Sequence, residues 1–510
     1  MKTGMTWSRW RRVRQAVQIL AFALYVYLLF AALQRGTAFP LADLFFRLDP
    51  LAALGAMLAG RAWIPRLALA LVTLGLTLLL GRVWCGWLCP LGTLLEWVRF
   101  GFAQQREATL SRRWRSVKNV LLLVILAAAL FGNLTLLIFD PITLLTRTMT
   151  TAILPALNYV ITSAERVLYA IPFLRPAVDW AESVLRGPVL PVNQPVFAMN
   201  VLIALLLGGM LALNALADRF SCRYLCPLGA LLGLASKISF LRPVIGPTCN
   251  RCAQCVGVCR VDAIDTSTPP QSPPLRRGEV YIIPSECTVC LDCLAACPQG
   301  GIGFRFHRRP ASAREFDPTR RQALVALGAS AVGVALLRTG VRTKRPHPHL
   351  LRPPGVGDEE EKFLSRCIRC SQCMNVCPTS GLQPTLLEVG LEGLWTPRLV
   401  PRLGYCDYGC HACGQVCPSG AIPLLDLPSK RQKIIGVAII DRNRCWPWAK
   451  GIPCIVCEEM CPVPKKAVEL QSDGNDGLQR PIVVADLCIG CGICEYQCPV
   501  EGEAAIRVYR

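Results

Sequence analysis

All 28 cysteines of this 510-residue chain fall into eight short groups, and none is left over. Six are four-cysteine sets: Cys249, Cys252, Cys255 and Cys259; Cys287, Cys290, Cys293 and Cys297; Cys367, Cys370, Cys373 and Cys377; Cys406, Cys410, Cys413 and Cys417; Cys445, Cys454, Cys457 and Cys461; and Cys488, Cys491, Cys494 and Cys498. The other two are C-x-x-x-C-P pairs, Cys85 with Cys89 and Cys222 with Cys226. Four of the six sets read C-x-x-C-x-x-C-x-x-x-C, and proline follows the last cysteine in five of the six. That spacing binds [4Fe–4S] clusters, cofactors that move electrons one at a time. Six such sites on one polypeptide make an electron relay.

Other cysteine chemistry fits less well. Zinc sites space two C-x-x-C knuckles well apart, and disulfide frameworks belong to small secreted domains. In the sets at Cys406 and Cys445 the first gap is stretched to three and eight residues, and these are assigned to clusters by the company they keep. Where two clusters share a domain, the fourth cysteine of each run ligates the other cluster. The first two sets then give Cys249, Cys252, Cys255 with Cys297, and Cys287, Cys290, Cys293 with Cys259. The last four sets can pair in sequence or nested. Arg260 stands where the other sets carry proline, a residue that shapes the backbone but ligates nothing. The four histidines, His307, His347, His349 and His411, all lie beyond residue 240, so paired-histidine haem in the apolar half is excluded. C-x-x-C-H and G-x-G-x-x-G are also absent. The cofactors left are iron and sulfur, with a quinone as candidate substrate.

The elements that must position these sites begin in an apolar half. The chain is 53% hydrophobic with mean hydropathy +0.40, and four membrane spans are expected near residues 17–33, 67–84, 120–139 and 196–217. Residues 1–15 carry Lys2, Arg9, Arg11, Arg12 and Arg14 without an acid. The loop after the second span carries Arg99, Arg106, Arg112, Arg113, Arg115 and Lys118 against Glu107. By the positive-inside rule both are cytoplasmic, and both cysteine pairs share that face. The net charge of +21 is read as this topology signal plus basic linkers, with no nucleic-acid partner. Arg320-Arg321 precedes a 15-residue apolar run ending at Leu337, the pattern of a twin-arginine export signal set in mid-chain. A buried helix with an accidental arginine pair is the alternative. Arg338, Arg342, Lys344 and Arg345 make the far flank equally basic.

The apolar half is duplicated. Arg82-Val-Trp-Cys85-Gly-Trp-Leu-Cys89-Pro-Leu-Gly matches Arg219-Phe-Ser-Cys222-Arg-Tyr-Leu-Cys226-Pro-Leu-Gly, and each copy has an upstream Asp-Pro, Asp49-Pro50 and Asp140-Pro141. Each half reads as span, Asp-Pro turn on the outer face, span, cysteine pair on the inner face. The cysteine pairs could converge on one four-thiolate site, act as separate redox dithiols, or merely touch the neighbouring domain. The aspartates read first as helix N-caps. As weak candidates for catalysis they would accept protons from a quinol at the outer interface. Arg35, Arg47 and Arg66 near that face read as headgroup anchors.

These residues carry a resemblance. The first ~310 residues resemble the NapH/MauN family of four-span proteins with two C-x-x-x-C-P motifs and a two-cluster tail. The remainder, through Arg-Cys367-Ile-Arg-Cys370, Tyr-Cys406-Asp-Tyr-Gly-Cys410-His-Ala-Cys413 and Cys454-Ile-Val-Cys457-Glu-Glu-Met-Cys461-Pro, resembles the NapG/MauM ferredoxin-type proteins. The expected fold class is a membrane α-helical bundle, four spans plus a fifth anchor, with α+β ferredoxin-like poly-[4Fe-4S] domains. Its expected parts are a four-span domain at 1–242, a two-cluster domain at 243–310 and a twin-arginine anchor at 311–345. A linker at 346–361 and a four-cluster domain at 362–510 complete it. The resemblance implies a bacterial inner-membrane protein with residues 243–310 cytoplasmic and 346–510 periplasmic. Electrons would pass from the membrane quinone pool through six [4Fe-4S] clusters to a periplasmic redox enzyme. The rivals are an accessory protein supplying electrons for maturation of such an enzyme, of methylamine dehydrogenase type, and a redox sensor.

Overall fold

The computed structural model describes the chain apart from residue 1 and residues 34–40, 99–111, 187–189, 192–193, 266–279, 308–319, 344–348, 358, 387 and 473–476. Arg35, Arg99, Arg106, Glu107, Lys344, Arg345 and His347 lie outside the described residues, as do the residues just before Arg320.

The N-terminal helix Lys2–Ala31 contains, over Arg9–Ala31, the one stretch among the described residues long and apolar enough to cross a membrane unaided. The other expected spans are realised as shorter pieces. Residues 67–84 become a 3-10 turn, Pro65–Leu69, running into Ala70–Leu80. Residues 120–139 become Ser116–Leu130 and, after a break, the 3-10 turn Thr135–Phe139. Residues 196–217 become Asn200–Ala212 followed by Leu213–Ala215. Asp49 and Asp140 adopt extended backbone and cap new helices, Pro50–Gly60 and Pro141–Thr148, with proline preset at the first helical position. Each aspartate accepts two backbone N–H groups, Leu51 (2.9 Å) and Ala52 (3.3 Å) on Asp49, Ile142 (3.1 Å) and Thr143 (2.9 Å) on Asp140. Both are fully buried.

The duplication is structural. Each cysteine pair is wound into a single π-turn, Trp84–Leu88 and Ser221–Leu225, an irregularity frequent at functional sites. Cys89 and Cys226 leave those turns extended and cap Pro90–Trp97 and Pro227–Ser236.

The cysteine-set segments are built from short helices and two-stranded antiparallel sheets. Leu241–Ile245 pairs with Ile302–Phe306 in the register Leu241↔Phe306, and Ile264–Asp265 with Tyr281–Ile282. Beyond residue 350, Leu382–Pro384 pairs with Pro397–Leu399, Val437–Ile440 with Ile506–Tyr509, and Val468–Ser472 with Gln479–Val483. Between the two groups runs Arg320–Thr343, a 24-residue helix spanning roughly 36 Å at 1.5 Å per residue. It lies along Ser116–Leu130, with Ser330 donating to the Val124 carbonyl (3.3 Å), and reaches the turn Leu391–Gly393. One apolar core joins Tyr25, Leu51, Leu122 and Leu228 of the helical half to Ile368 and Cys370 of the C-terminal segment. The outward faces of the same helices are apolar, with Leu20, Leu71, Val72, Val201, Leu205 and Leu336 exposed.

Candidate metal centres

The backbone exchanges the fourth cysteine within consecutive pairs of sets. Cys255 lies near Cys249, Cys252 and Cys297, and Cys293 near Cys287, Cys290 and Cys259, the arrangement expected from spacing. For the last four sets, pairing in sequence replaces the nested alternative. Cys367, Cys370 and Cys373 close on Cys417. The other three groups line apolar pockets: Cys406, Cys410 and Cys413 with Cys377, Cys445, Cys454 and Cys457 with Cys498, and Cys488, Cys491 and Cys494 with Cys461. Among the described residues no group of His, Cys, Asp or Glu is spaced to hold a single metal ion. Four thiols around an apolar cavity fit a cubane, whose four irons hold their ligands further apart than one ion does. Burial pushes the Cys287, Cys406 and Cys457 thiols up to about 12 and Cys290 and Cys491 to about 11. Such thiols stay protonated at neutral pH until a metal draws off the proton.

The first two sets dock on the end of the bundle where the C-x-x-x-C-P pairs lie. Arg82 donates to the Ser285 carbonyl (2.8 Å) and Trp87 Nε1 to the Val289 carbonyl (2.9 Å). Gly86 packs so closely that a Cβ there would stand 2.1 Å from the Thr288 oxygen. Beneath this contact lies Glu96, 8% exposed, bound by Arg14 (2.9 and 3.0 Å), Arg219 (2.6 Å), Gln18 (2.8 Å) and Arg260. Burial pushes the Glu96 carboxyl up, but Arg219, Arg14 and Arg260 outweigh it and bring it down to about 2. Glu286 is likewise held below the usual carboxylate range against burial, by Lys118 and Arg82. The residues read from sequence as a sidedness signal thus have a second task. Arg14, Arg115 and Lys118 are buried and paired with Glu96, Asp262 and Glu286. Arg260, the exception to the proline rule, bridges Glu96 and Asp292 (2.9 Å), and spacing gave no signal of that role.

The C-terminal sets dock on the other end. Arg369 donates to Thr135 Oγ1 (3.3 Å), Gln372 to the Ala42 carbonyl (3.2 Å) and Asn375 to the Leu29 carbonyl (2.9 Å). Arg66 reaches the Gln415 carbonyl (2.7 Å), and Arg47 pairs with Asp43 (2.6 Å). Both arginines are thus engaged with protein groups. Between the two docking ends the interior is polar at a few points. Asp49 and Asp140 face one another, and Asp49 Oδ2 and Asp140 Oδ1 lack any donor, so one proton between them satisfies both. Arg147, fully buried, lies over the Trp395 ring at 4.1 Å with Nε and Nη1 unpartnered. Asp140 is within electrostatic reach of Cys89 on one side and Arg147 on the other, and Arg147 of Cys370.

Comparison with known proteins agrees with this geometry. Residues 248–301 match the 4Fe-4S dicluster domain, and residues 481–502, with residues 62–116 and 199–246, match 4Fe-4S binding domains. The methylamine utilization ferredoxin-type protein MauM of Methylorubrum extorquens is 36% identical over 207 residues, 38% of this chain and 91% of that protein. The chain belongs to the MauM/NapG family of ferredoxin-type proteins. MauM of Paracoccus denitrificans is 38% identical over 200 residues, covering 37% of this chain and 87% of the relative. The ferredoxin-type protein NapG of Escherichia coli is 36% identical over 189 residues, covering 36% and 79%. No solved structure matches. The chain is therefore an iron–sulfur electron-transfer protein of this family. These three matches each cover 36–38% of the chain.

Proposed function

We propose that this protein is a membrane-bound quinol dehydrogenase module, in which a NapH/MauN-like helical bundle is fused to a NapG/MauM-like ferredoxin part. It would take electrons from membrane quinol and pass them through [4Fe–4S] clusters to a periplasmic redox enzyme. The carrying observation is the bundle itself: it joins two cluster-binding parts end to end and buries Asp49, Asp140 and Arg147, with unpartnered polar atoms, between Cys89 and Cys370. Buried ionisable groups of that kind in a membrane protein mark substrate or proton paths. A quinol releases two protons and two electrons, and the clusters supply one-electron steps. The Asp49–Asp140 pair would take a proton, and Arg147 would orient a quinone oxygen. The outward apolar faces at Leu20, Leu71, Val201 and Leu336 support burial in lipid. The helix Arg320–Thr343 would carry the chain from the inner to the outer side. Its twin arginine supports export of the C-terminal segment, with residues 362–510 outside and the two-cluster part inside.

The test is reduction of the clusters by quinol in the full chain reconstituted into nanodiscs. A reduced menaquinol or ubiquinol analogue should bleach the cluster absorbance and raise the electron paramagnetic resonance of reduced clusters. Clusters that dithionite reduces but neither quinol does would defeat the reading. A second role, supplying electrons while a periplasmic enzyme matures, is favoured by the methylamine-utilization relatives. A deletion strain separates the two. Intact partner enzyme without electron flow supports the dehydrogenase, and a partner lacking its cofactor supports maturation.

A further inference from the structure

We propose that Cys85, Cys89, Cys222 and Cys226 together hold one more [4Fe–4S] cluster, a seventh, at the end of the bundle that meets the dicluster domain. The two segments that match 4Fe-4S binding domains, 62–116 and 199–246, each contain only two cysteines. A cubane needs four thiolates, so neither segment is a site alone. The fold supplies the rest. Each of the four thiols lies within electrostatic reach of the other three across the pseudo-symmetric halves. None is in a disulfide.

The surroundings are those of a cluster ligand elsewhere in this chain. The Gly92 and Gly229 amides donate to Cys89 Sγ (3.5 Å) and Cys226 Sγ (3.2 Å), the proline-flanked cysteine of each pair. Ala263, Gly301, Ile422 and Ala467 do the same for the last cysteine of four of the cluster sets, at 3.2–3.4 Å. The four thiols also share with those sets a spacing that suits no single ion. Countercharge is built in: Arg82 and Arg219, at equivalent positions of the repeat and each 2% exposed, lie beside the thiols, with Lys118 near Cys222. A cubane with four thiolates is anionic, so guanidinium groups buried beside it suit it, over and above their pairing with Glu96 and Glu286. Gly229 leaves Arg82 room, since a Cβ there would stand 2.8 Å from its Nη2.

The site also has a neighbour. Gly86 packs on Thr288 and Trp87 bonds Val289, which puts Cys85 beside the set Cys287, Cys290, Cys293 and Cys259. One electron leaving that cluster enters the proposed one, the first being oxidised as the second is reduced, with no bond made and no proton moved. The inference stands apart from the identity of the electron donor, and it holds or falls by metal content.

The full chain, purified anaerobically in detergent, should saturate at about 28 iron atoms and as many sulfides, four for each of seven clusters. Cys85→Ser combined with Cys222→Ser should fall to about 24, and one cluster's component should vanish from the Mössbauer and spin-quantified resonance spectra while six remain. Wild-type protein saturating at about 24 irons, with or without one zinc, overturns the proposal, as does a double variant with undiminished iron. Should the double variant lose several clusters through misfolding, the wild-type count decides alone.

Discussion

Glu96 and Gly86 show how single residues fasten the dicluster domain to the bundle. Three guanidinium groups converge on the buried Glu96 carboxylate. Removing one partner of such a buried group costs about 3–5 kcal/mol. Glu96→Ala is therefore expected to lower the urea midpoint sharply and to free residues 248–301 for proteolysis, which a time course on gels would track. The sign with pH comes from a carboxyl at about 2 in the folded chain against 4.5 in the open one. Its stabilisation is complete above 4.5 and is lost as pH falls toward 2, and Glu96→Gln should remove that acid-side slope. Gly86→Ala places a methyl 2.1 Å from the Thr288 oxygen, and overpacking of this kind costs about 1–3 kcal/mol. Released tryptic fragments of the dicluster domain, absent from wild type, would report it.

At the scale of elements, the aspartates have two tasks that substitution separates. Asparagine caps a helix as well as aspartate does, whereas alanine costs about 0.5–2 kcal/mol. Asp140→Asn should keep the thermal midpoint within a few degrees while quinol-dependent cluster reduction slows at least ten-fold in stopped flow. Asp140→Ala should lose both stability and rate. An unchanged rate in the asparagine variant would leave Asp140 a cap and nothing more. The helix Arg320–Thr343 makes its own prediction. A phosphatase fused after Arg510 should be active and a fluorescent protein in the same place dark, and replacing Arg320-Arg321 by Lys-Lys should reverse both.

Over the whole molecule the candidate centres are linked by successive contacts. The dicluster domain meets the C-x-x-x-C-P thiols through Gly86, and the bundle meets the Cys367 set through Ile368 and Cys370. The Cys406 amide then donates to the Cys491 carbonyl (2.8 Å), linking the second and third centres of the C-terminal segment. The Cys445 group is last. Cys457→Ala should leave quinol reduction of the earlier clusters intact and block delivery to a periplasmic acceptor, seen as retained resonance signals with failed reduction of an added cytochrome.

How much of this was written in the sequence depends on range. The grouping of the cysteines, the duplication and the aspartate caps were legible, because cysteine spacing, N-cap chemistry and repeats are local properties of neighbouring residues. Residues 67–84, 120–139 and 196–217 fold into shorter helical pieces than the expected spans. Hydropathy counts apolar residues but does not register where a helix stops, as at Gly81 after Ala70–Leu80 and at Phe131 after Ser116–Leu130. Arg14, Arg115 and Lys118 read as a topology signal because their partners, Glu96, Asp262 and Glu286, are 82 to 168 residues away. The exchange of fourth cysteines among the last sets was open for the same reason. Sequence by itself determined the chemistry of the metal sites, since four thiols at those intervals suit a cubane and little else. Only the tertiary structure decided which thiols meet, that Arg260 replaces proline in order to bridge Glu96 and Asp292, and that two cysteine pairs 133 or more residues apart face one another. Such contacts depend on how helices pack, a property of the whole chain that no window of it contains.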